Sequence, residues 1–321
     1  MKLEKALPAL LLVLSGLAFS TAVPAQAAAE AKPKASAPAQ APGQGTRYSE
    51  EGADTCLACH GDDAGLARIF KTRHANRGDK RTPFAGLQCE ACHGPGAKHA
   101  DGGDTSAINS LKDSSWVPVQ DRNKVCLGCH QGNARMGWHG SAHDAIACAS
   151  CHKIHAERDP VLAKATQPDT CYQCHKQQRA DFQKPSAHPV RFGKLACSDC
   201  HSPHGSNAPA MLVKPTVNQT CFTCHAEKRG PFLWEHAPVA ENCTLCHSAH
   251  GSPRPSLLTK TPPLLCQQCH TVAGHPAVAR TGAALPANGG VGAGFVLAGS
   301  CTNCHSQVHG SNHPSGVKLM R

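Results

Sequence analysis

Mostly irregular coil with short α-helices and little or no β-structure, wrapped round cofactors rather than round an apolar core, is the architecture that three observations predict. All twenty cysteines of the 321-residue chain fall in ten C-x-x-C-H pentapeptides. Only thirteen aromatic residues are present, and they are scattered, too few for a layered core. Twenty-nine glycines and 24 prolines interrupt regular elements throughout.

Each pentapeptide reads as a covalent haem c attachment site. Two cysteines separated by two residues reach the two vinyl groups of one porphyrin as thioethers, and the adjoining histidine is held against the iron as its proximal ligand. The thioether pairs are Cys56 and Cys59, Cys89 and Cys92, Cys126 and Cys129, Cys148 and Cys151, Cys171 and Cys174, Cys197 and Cys200, Cys221 and Cys224, Cys243 and Cys246, Cys266 and Cys269, and Cys301 and Cys304. The proximal histidines are His60, His93, His130, His152, His175, His201, His225, His247, His270 and His305. One isolated copy would read equally well as a zinc knuckle or a redox dithiol. Ten copies with histidine after every second cysteine favour ten haem c groups, in a linear chain, and leave no thiol for a disulfide or a nucleophile.

The N-terminus opens with Met1-Lys-Leu-Glu-Lys5, continues with an apolar run from Ala6 to Phe19, and reaches Ala25-Gln-Ala27, the pattern of a cleaved signal peptide over residues 1–27. Export suits the cofactor, because haem is joined to C-x-x-C-H outside the bacterial cytoplasm, and predicts a periplasmic protein. Residues 28–50, rich in Ala, Pro, Lys and Gln, predict a disordered linker. Residues 51–321 form the decahaem domain. The whole chain has a formal charge of +10. Such a charge could suggest nucleic acid, but twenty haem propionates would take the holoprotein well below neutral, and no basic groove with interleaved aromatics exists to bind a strand.

First-cysteine gaps of 33 and 37 residues are followed by 22, 23, 26, 24, 22 and 23, then 35. The tight region predicts three dihaem repeats, near 141–185, 186–234 and 235–275. Each carries two motifs and two further histidines: His143 and His155, His188 and His204, His236 and His250. That stoichiometry gives both irons of a unit a second axial imidazole. A residue three positions past the proximal histidine lies on the same side of that macrocycle. His155, His204 and His250 are therefore expected to ligate a neighbouring iron, so that the chain stitches consecutive haems together. The four remaining motifs have His74, His99, His139, His275, His309 and His313 available, two more than needed. His139 is discarded first, because His143 fills the repeat position nearby, and His275 and His313 are not separated by sequence. Met136, a conceivable thioether ligand, is set aside because histidines are in excess.

Irons closed by two imidazoles exchange electrons but have no open position for a substrate, which predicts an electron carrier of low potential and not an enzyme. No site ends in the C-x-x-C-K of multihaem nitrite reductases, and only Tyr48 and Tyr172 could supply the crosslink of a hydroxylamine oxidoreductase.

Four stretches carry a family resemblance. They are Ala85-Gly-Leu-Gln-Cys-Glu-Ala-Cys-His93-Gly-Pro, the run from Cys221 through Glu-Lys-Arg-Gly-Pro-Phe-Leu-Trp-Glu-His236, Leu265-Cys-Gln-Gln-Cys-His270, and Cys301-Thr-Asn-Cys-His-Ser-Gln-Val-His309-Gly-Ser-Asn-His313. With them, residues 50–321 resemble the MtrA/DmsE family of periplasmic decahaem cytochromes, which includes the MtoA and PioA types. The resemblance implies insertion into an outer-membrane β-barrel porin and conduction of electrons between periplasm and exterior, in extracellular Fe(III) or other metal reduction or in Fe(II) oxidation. It also implies a periplasmic or inner-membrane cytochrome as partner and, where electrons leave the cell, an extracellular multihaem cytochrome. The alternative is a soluble periplasmic shuttle serving a terminal reductase.

Overall fold

The computed structural model describes residues 45–112, 115–132, 135–271 and 301–320. The expected signal peptide, most of the expected linker, and His275 lie outside the described residues. Within them the architecture is as predicted: short helices, 3-10 turns and coil, with four isolated β-bridges and no strand. The longest helix, α2 (Val119–Leu127), has nine residues, and α1 (Ala53–His60) has eight.

The pentapeptide itself dictates the commonest element. In nine copies the histidine N–H donates to the carbonyl of the first cysteine at 2.9–3.1 Å, closing one helical turn, and the first copy ends α1. Residues i, i+3 and i+4 of such a turn share a face, so both sulfurs and the imidazole leave the backbone on one side. Glycine, proline and the next motif end the turn before a longer helix can grow.

Packing of the chain against itself is slight. Among the described residues eleven hydrophobic ones are buried, and five of these are alanines. Leu162, Phe192, Leu233 and Leu264 stay more than half exposed. The order comes from backbone ties instead. Ser186 and Ser252 exchange backbone hydrogen bonds at 3.1 and 2.7 Å, and Trp234 and Ser311 do so at 2.9 Å in both directions. At the other end the ties reach into the stretch expected to be linker. The Arg47 carbonyl accepts from Ala97 N–H (3.3 Å), and Ser49 donates from its N–H and hydroxyl to the buried carboxylate of Glu90 (3.0 and 2.8 Å). No helix among the described residues is long and apolar enough to cross a membrane.

Candidate haem sites

The first cysteines of successive motifs meet two by two. The side chain of Cys56 neighbours that of Cys89, Cys126 that of Cys148, Cys171 that of Cys197, Cys221 that of Cys243, and Cys266 that of Cys301. Between these pairs the second cysteines are the neighbours. Cys92 neighbours Cys129, Cys151 neighbours Cys174, Cys200 neighbours Cys224, and Cys246 neighbours Cys269. Ten motifs thus form one row in chain order, with two kinds of junction alternating along it.

Side-chain amides hold the first kind of junction, and the sequence reading did not single them out. Asn123, three residues before Cys126, accepts the N–H of Cys148 (2.8 Å) and donates to the Ile146 carbonyl (2.9 Å). Asn218, three residues before Cys221, repeats this by accepting the N–H of Cys243 (2.8 Å) and donating to the carbonyls of Val239 and Ala240 (2.8 and 3.0 Å). Gln167 clasps Ser198, its carbonyl accepting the backbone N–H (2.9 Å) and its amide donating to the hydroxyl (3.0 Å). Gln88 accepts the N–H of Ala53 (2.9 Å). The recurring Asn-x-x-Cys at 123–126 and 218–221 is the signal that could have found two of them.

Nine proximal histidines each face one other histidine. The pairs are His60 with His99 (ring centres 6.3 Å apart), His93 with His155 (6.2 Å), His130 with His74 (6.0 Å), His152 with His204 (6.0 Å) and His175 with His143 (6.1 Å). The others are His201 with His250 (6.0 Å), His225 with His188 (6.3 Å), His247 with His309 (6.1 Å) and His270 with His236 (6.0 Å). An imidazole nitrogen binds a metal at about 2.0–2.1 Å and sits about 1.1 Å from its ring centre, so two rings on opposite sides of one ion have centres up to roughly 6.3 Å apart. The residues therefore fit a haem iron held between each pair.

The hydrogen bonds select the nitrogen. Nδ1 of His93, His201, His247 and His305 meets the carbonyls of Asn109 (2.8 Å), Ala210 (2.8 Å), Ser256 (2.7 Å) and Lys318 (2.6 Å). Among the facing rings, Nδ1 of His99, His143, His188 and His236 meets the carbonyls of Asp104, Pro203, Ala249 and Val308 at 2.8–3.0 Å. A carbonyl only accepts, so Nδ1 carries the proton and Nε2 is left with the lone pair a metal needs. Burial also pushes His155, His204, His250 and His309 below the usual imidazole range, favouring the neutral, ligating form.

His155, His204 and His250 do not meet the proximal histidine of their own motif. Each faces the one two motifs earlier. The repeats are consequently not closed units: in 141–185 His143 meets His175, but His155 meets His93 and His152 meets His204. Glycine follows two of these three crossing histidines, His204 and His250. Gly205, at φ 103°, lies so close to Gly137 that a Cβ would run into its carbonyl.

The surplus histidines behave differently. His139 is exposed, as is Met136. Nδ1 of His313 accepts the backbone N–H of Ser315 (3.2 Å), which puts the ring proton on Nε2, the wrong tautomer for an Nε2 ligand. His275 lies outside the described residues. No cluster of three or more His, Cys, Asp or Glu side chains among the described residues is built to hold a bare metal ion, so the geometry for a zinc knuckle is not found there.

Comparison with known proteins agrees with this arrangement. The doubled CXXCH motif model matches residues 188–230 and 236–275, the NrfB-like cytochrome c-type model residues 89–167, and the cytochrome c554 and c-prime model residues 18–94. The multiheme cytochrome MtrA of Shewanella baltica is 48% identical over 277 residues, spanning 85% of this chain and 83% of the relative. The cytochrome c-type protein NrfB of Escherichia coli is 29% identical over 133 residues (39% of this chain, 66% of the relative), and that of Haemophilus influenzae 29% identical over 151 (39% and 65%). Paired haem-attachment motifs, facing imidazoles and a relative matched over most of both lengths place this chain in the MtrA family of electron-transferring multihaem c-type cytochromes.

Proposed function

We propose that the protein is a ten-haem electron conduit between periplasm and cell exterior, seated in an outer-membrane β-barrel porin. The observation that carries this reading is the row: ten motifs neighbour one another in chain order, through first cysteines and second cysteines alternately. Haem held in such sites supplies a one-electron Fe(III)/Fe(II) couple. The cysteines named above anchor the ten groups, and each C-x-x-C-H histidine is a proximal ligand. His99, His155, His74, His204, His143, His250, His188, His309 and His236 are the distal ligands of sites one to nine in that order. His275 is the histidine left for the tenth site, since His313 presents the wrong tautomer. Two imidazoles on every iron leave substrates no place to bind, so the residues support conduction and not catalysis.

A membrane with its headgroups is about 40–45 Å thick, beyond one electron hop, and described residues that form no spanning helix need a barrel to carry them through lipid. A cleaved leader over residues 1–27 delivers it to the periplasm, where a periplasmic or inner-membrane cytochrome exchanges electrons with one end of the row. The other end meets Fe(III) or another metal oxidant, Fe(II) as a donor, or an extracellular multihaem cytochrome, direction following the potentials at the two ends.

The test is a reduced dye sealed inside liposomes. Oxidation by an external acceptor only when both this protein and its porin are in the bilayer supports the conduit. A protein that stays free and monomeric beside the porin, with no dye oxidised, refutes it in favour of a soluble shuttle to a terminal reductase. Mass spectrometry of the mature protein is expected to show ten haems above the polypeptide.

A further inference from the structure

Three turns follow the fourth, sixth and eighth motifs in equivalent places: His152 to Asp159-Pro160, His201 to Ala208-Pro209 and His247 to Arg254-Pro255, each seven residues on. In the second and third, the proximal Nδ1–H donates to a backbone carbonyl, that of Ala210 (2.8 Å) or Ser256 (2.7 Å). Those carbonyls are delivered by left-handed pairs, Ala210 and Met211 at φ 51° and 53°, Ser256 and Leu257 at φ 54° and 58°. In the first turn no residue from 153 to 162 has a positive φ, and a side chain takes over the role. Asp159 Oδ2 lies 2.6 Å from His152 Nδ1, while Oδ1 accepts the N–H groups of Lys153 (3.2 Å) and Val161 (3.3 Å). The Asp159 side chain is 12% exposed and that of His152 27%, so water screens the contact little.

We propose that Asp159 is a positioning and tuning residue that makes the site of His152 and His204 more reducing than its equivalents at His201 and His247. A carboxylate draws the Nδ1 proton more strongly than a carbonyl, makes the imidazole a more basic ligand, and stabilises the higher charge of Fe(III). Its own negative charge, sheltered beside the ring, acts in the same direction. Among the described residues the one comparable contact is weaker: Glu227 lies 3.8 Å from His225 Nδ1, beyond hydrogen-bond length, and both side chains are more than half exposed. An electron moving along the row therefore meets a step at the fourth site, set by one side chain. The inference rests on the ligand assignment proposed above.

The experiment is a potentiometric titration of the purified holoprotein, followed optically and by electron paramagnetic resonance, on Asp159→Asn, Asp159→Ala and Asp159→Glu. Asn keeps an oxygen for the N–H groups of Lys153 and Val161 but removes the charge, so the turn is retained. In the Asn and Ala variants one of the one-electron components is expected to move positive by at least tenfold in its equilibrium constant, about 59 mV. Haem mass and the low-spin spectrum stay unchanged, and Glu restores most of the shift. Unaltered titration curves in both Asn and Ala variants with full haem content overturn the inference. If Asn and Ala both lose haem, a Glu variant that retains it but titrates one component positive overturns it too, whereas wild-type potentials in Glu support it. His204→Ala separates the two readings: it turns one iron high-spin if the ligand assignment holds, whatever Asp159 does.

Discussion

Replacing Asn218 by alanine should loosen the junction between the seventh and eighth motifs without touching a haem ligand. The side chain is 6% exposed and makes three hydrogen bonds, two donated to the carbonyls of Val239 and Ala240 and one accepted from Cys243 N–H. At about 1 kcal/mol net for each hydrogen bond, the loss is roughly 3 kcal/mol. For a cooperative unit of a few hundred residues that lowers the melting midpoint by about 6 °C or more. The first cysteines Cys221 and Cys243 touch across this junction, so the two porphyrins joined to them should separate, and the circular-dichroism couplet in their main absorption band should weaken. Asn123→Ala is expected to do the same at the third and fourth motifs, and Gln219→Ala, an exposed neighbour, to do nothing. An Asn218→Ala protein that melts within a degree of the parent with an unchanged couplet would refute the claim that this amide sets the spacing.

Three further outcomes test the site. The ring planes of His93 and His155 cross at 80° while those of His152 and His204 lie at 12°; crossed planes leave two iron d orbitals nearly degenerate and give a large-g signal, and parallel planes split them. His155→Ala should therefore remove one large-g component, and loss of a parallel-plane component instead would mean that it serves its own motif. His313→Ala should leave every iron low-spin and His275→Ala should convert one to high-spin, read from the same spectra; the reverse result would overturn the tautomer argument. Gly205→Ala should cost more than ~1 kcal/mol through its backbone conformation alone and push His204 away from His152, seen as a lower melting midpoint with one high-spin iron.

Much of this was legible in the sequence because the chemistry is local. A C-x-x-C-H turn needs no partner to bring its sulfurs and imidazole to one face, and thirteen scattered aromatic residues already excluded a layered core. The count of spare histidines included the nine that face a C-x-x-C-H histidine, but their pairing was not readable. His93 and His155 are 62 residues apart, and no periodicity records which earlier motif a histidine three residues past Cys-His will face. The repeat made the units look self-contained, whereas each keeps one imidazole and lends the other. The amide clasps were not legible because Asn123, Gln167, Asn218 and Gln88 do one job from three different offsets. Residues 47–49 look like linker by composition, yet the buried Glu90 carboxylate needed donors, and Ser49 supplies two.

The crossing histidines explain how so thin a chain keeps its sites in register. Pro203 sits beside His204, which faces His152, and its carbonyl takes the Nδ1–H of His143, which faces His175. Ala249 does this for His188 beside His250, and Val308 for His236 beside His309. One dipeptide thus orients a ring for each of two adjacent sites, the fourth with the fifth, the sixth with the seventh, the eighth with the ninth. These are the junctions that the first-cysteine contacts and amide clasps leave out. Every boundary from the third motif to the ninth is consequently tied by one device or the other, and a chain with few buried side chains among its described residues can hold a continuous row because its own backbone links the facing imidazoles of neighbouring motifs.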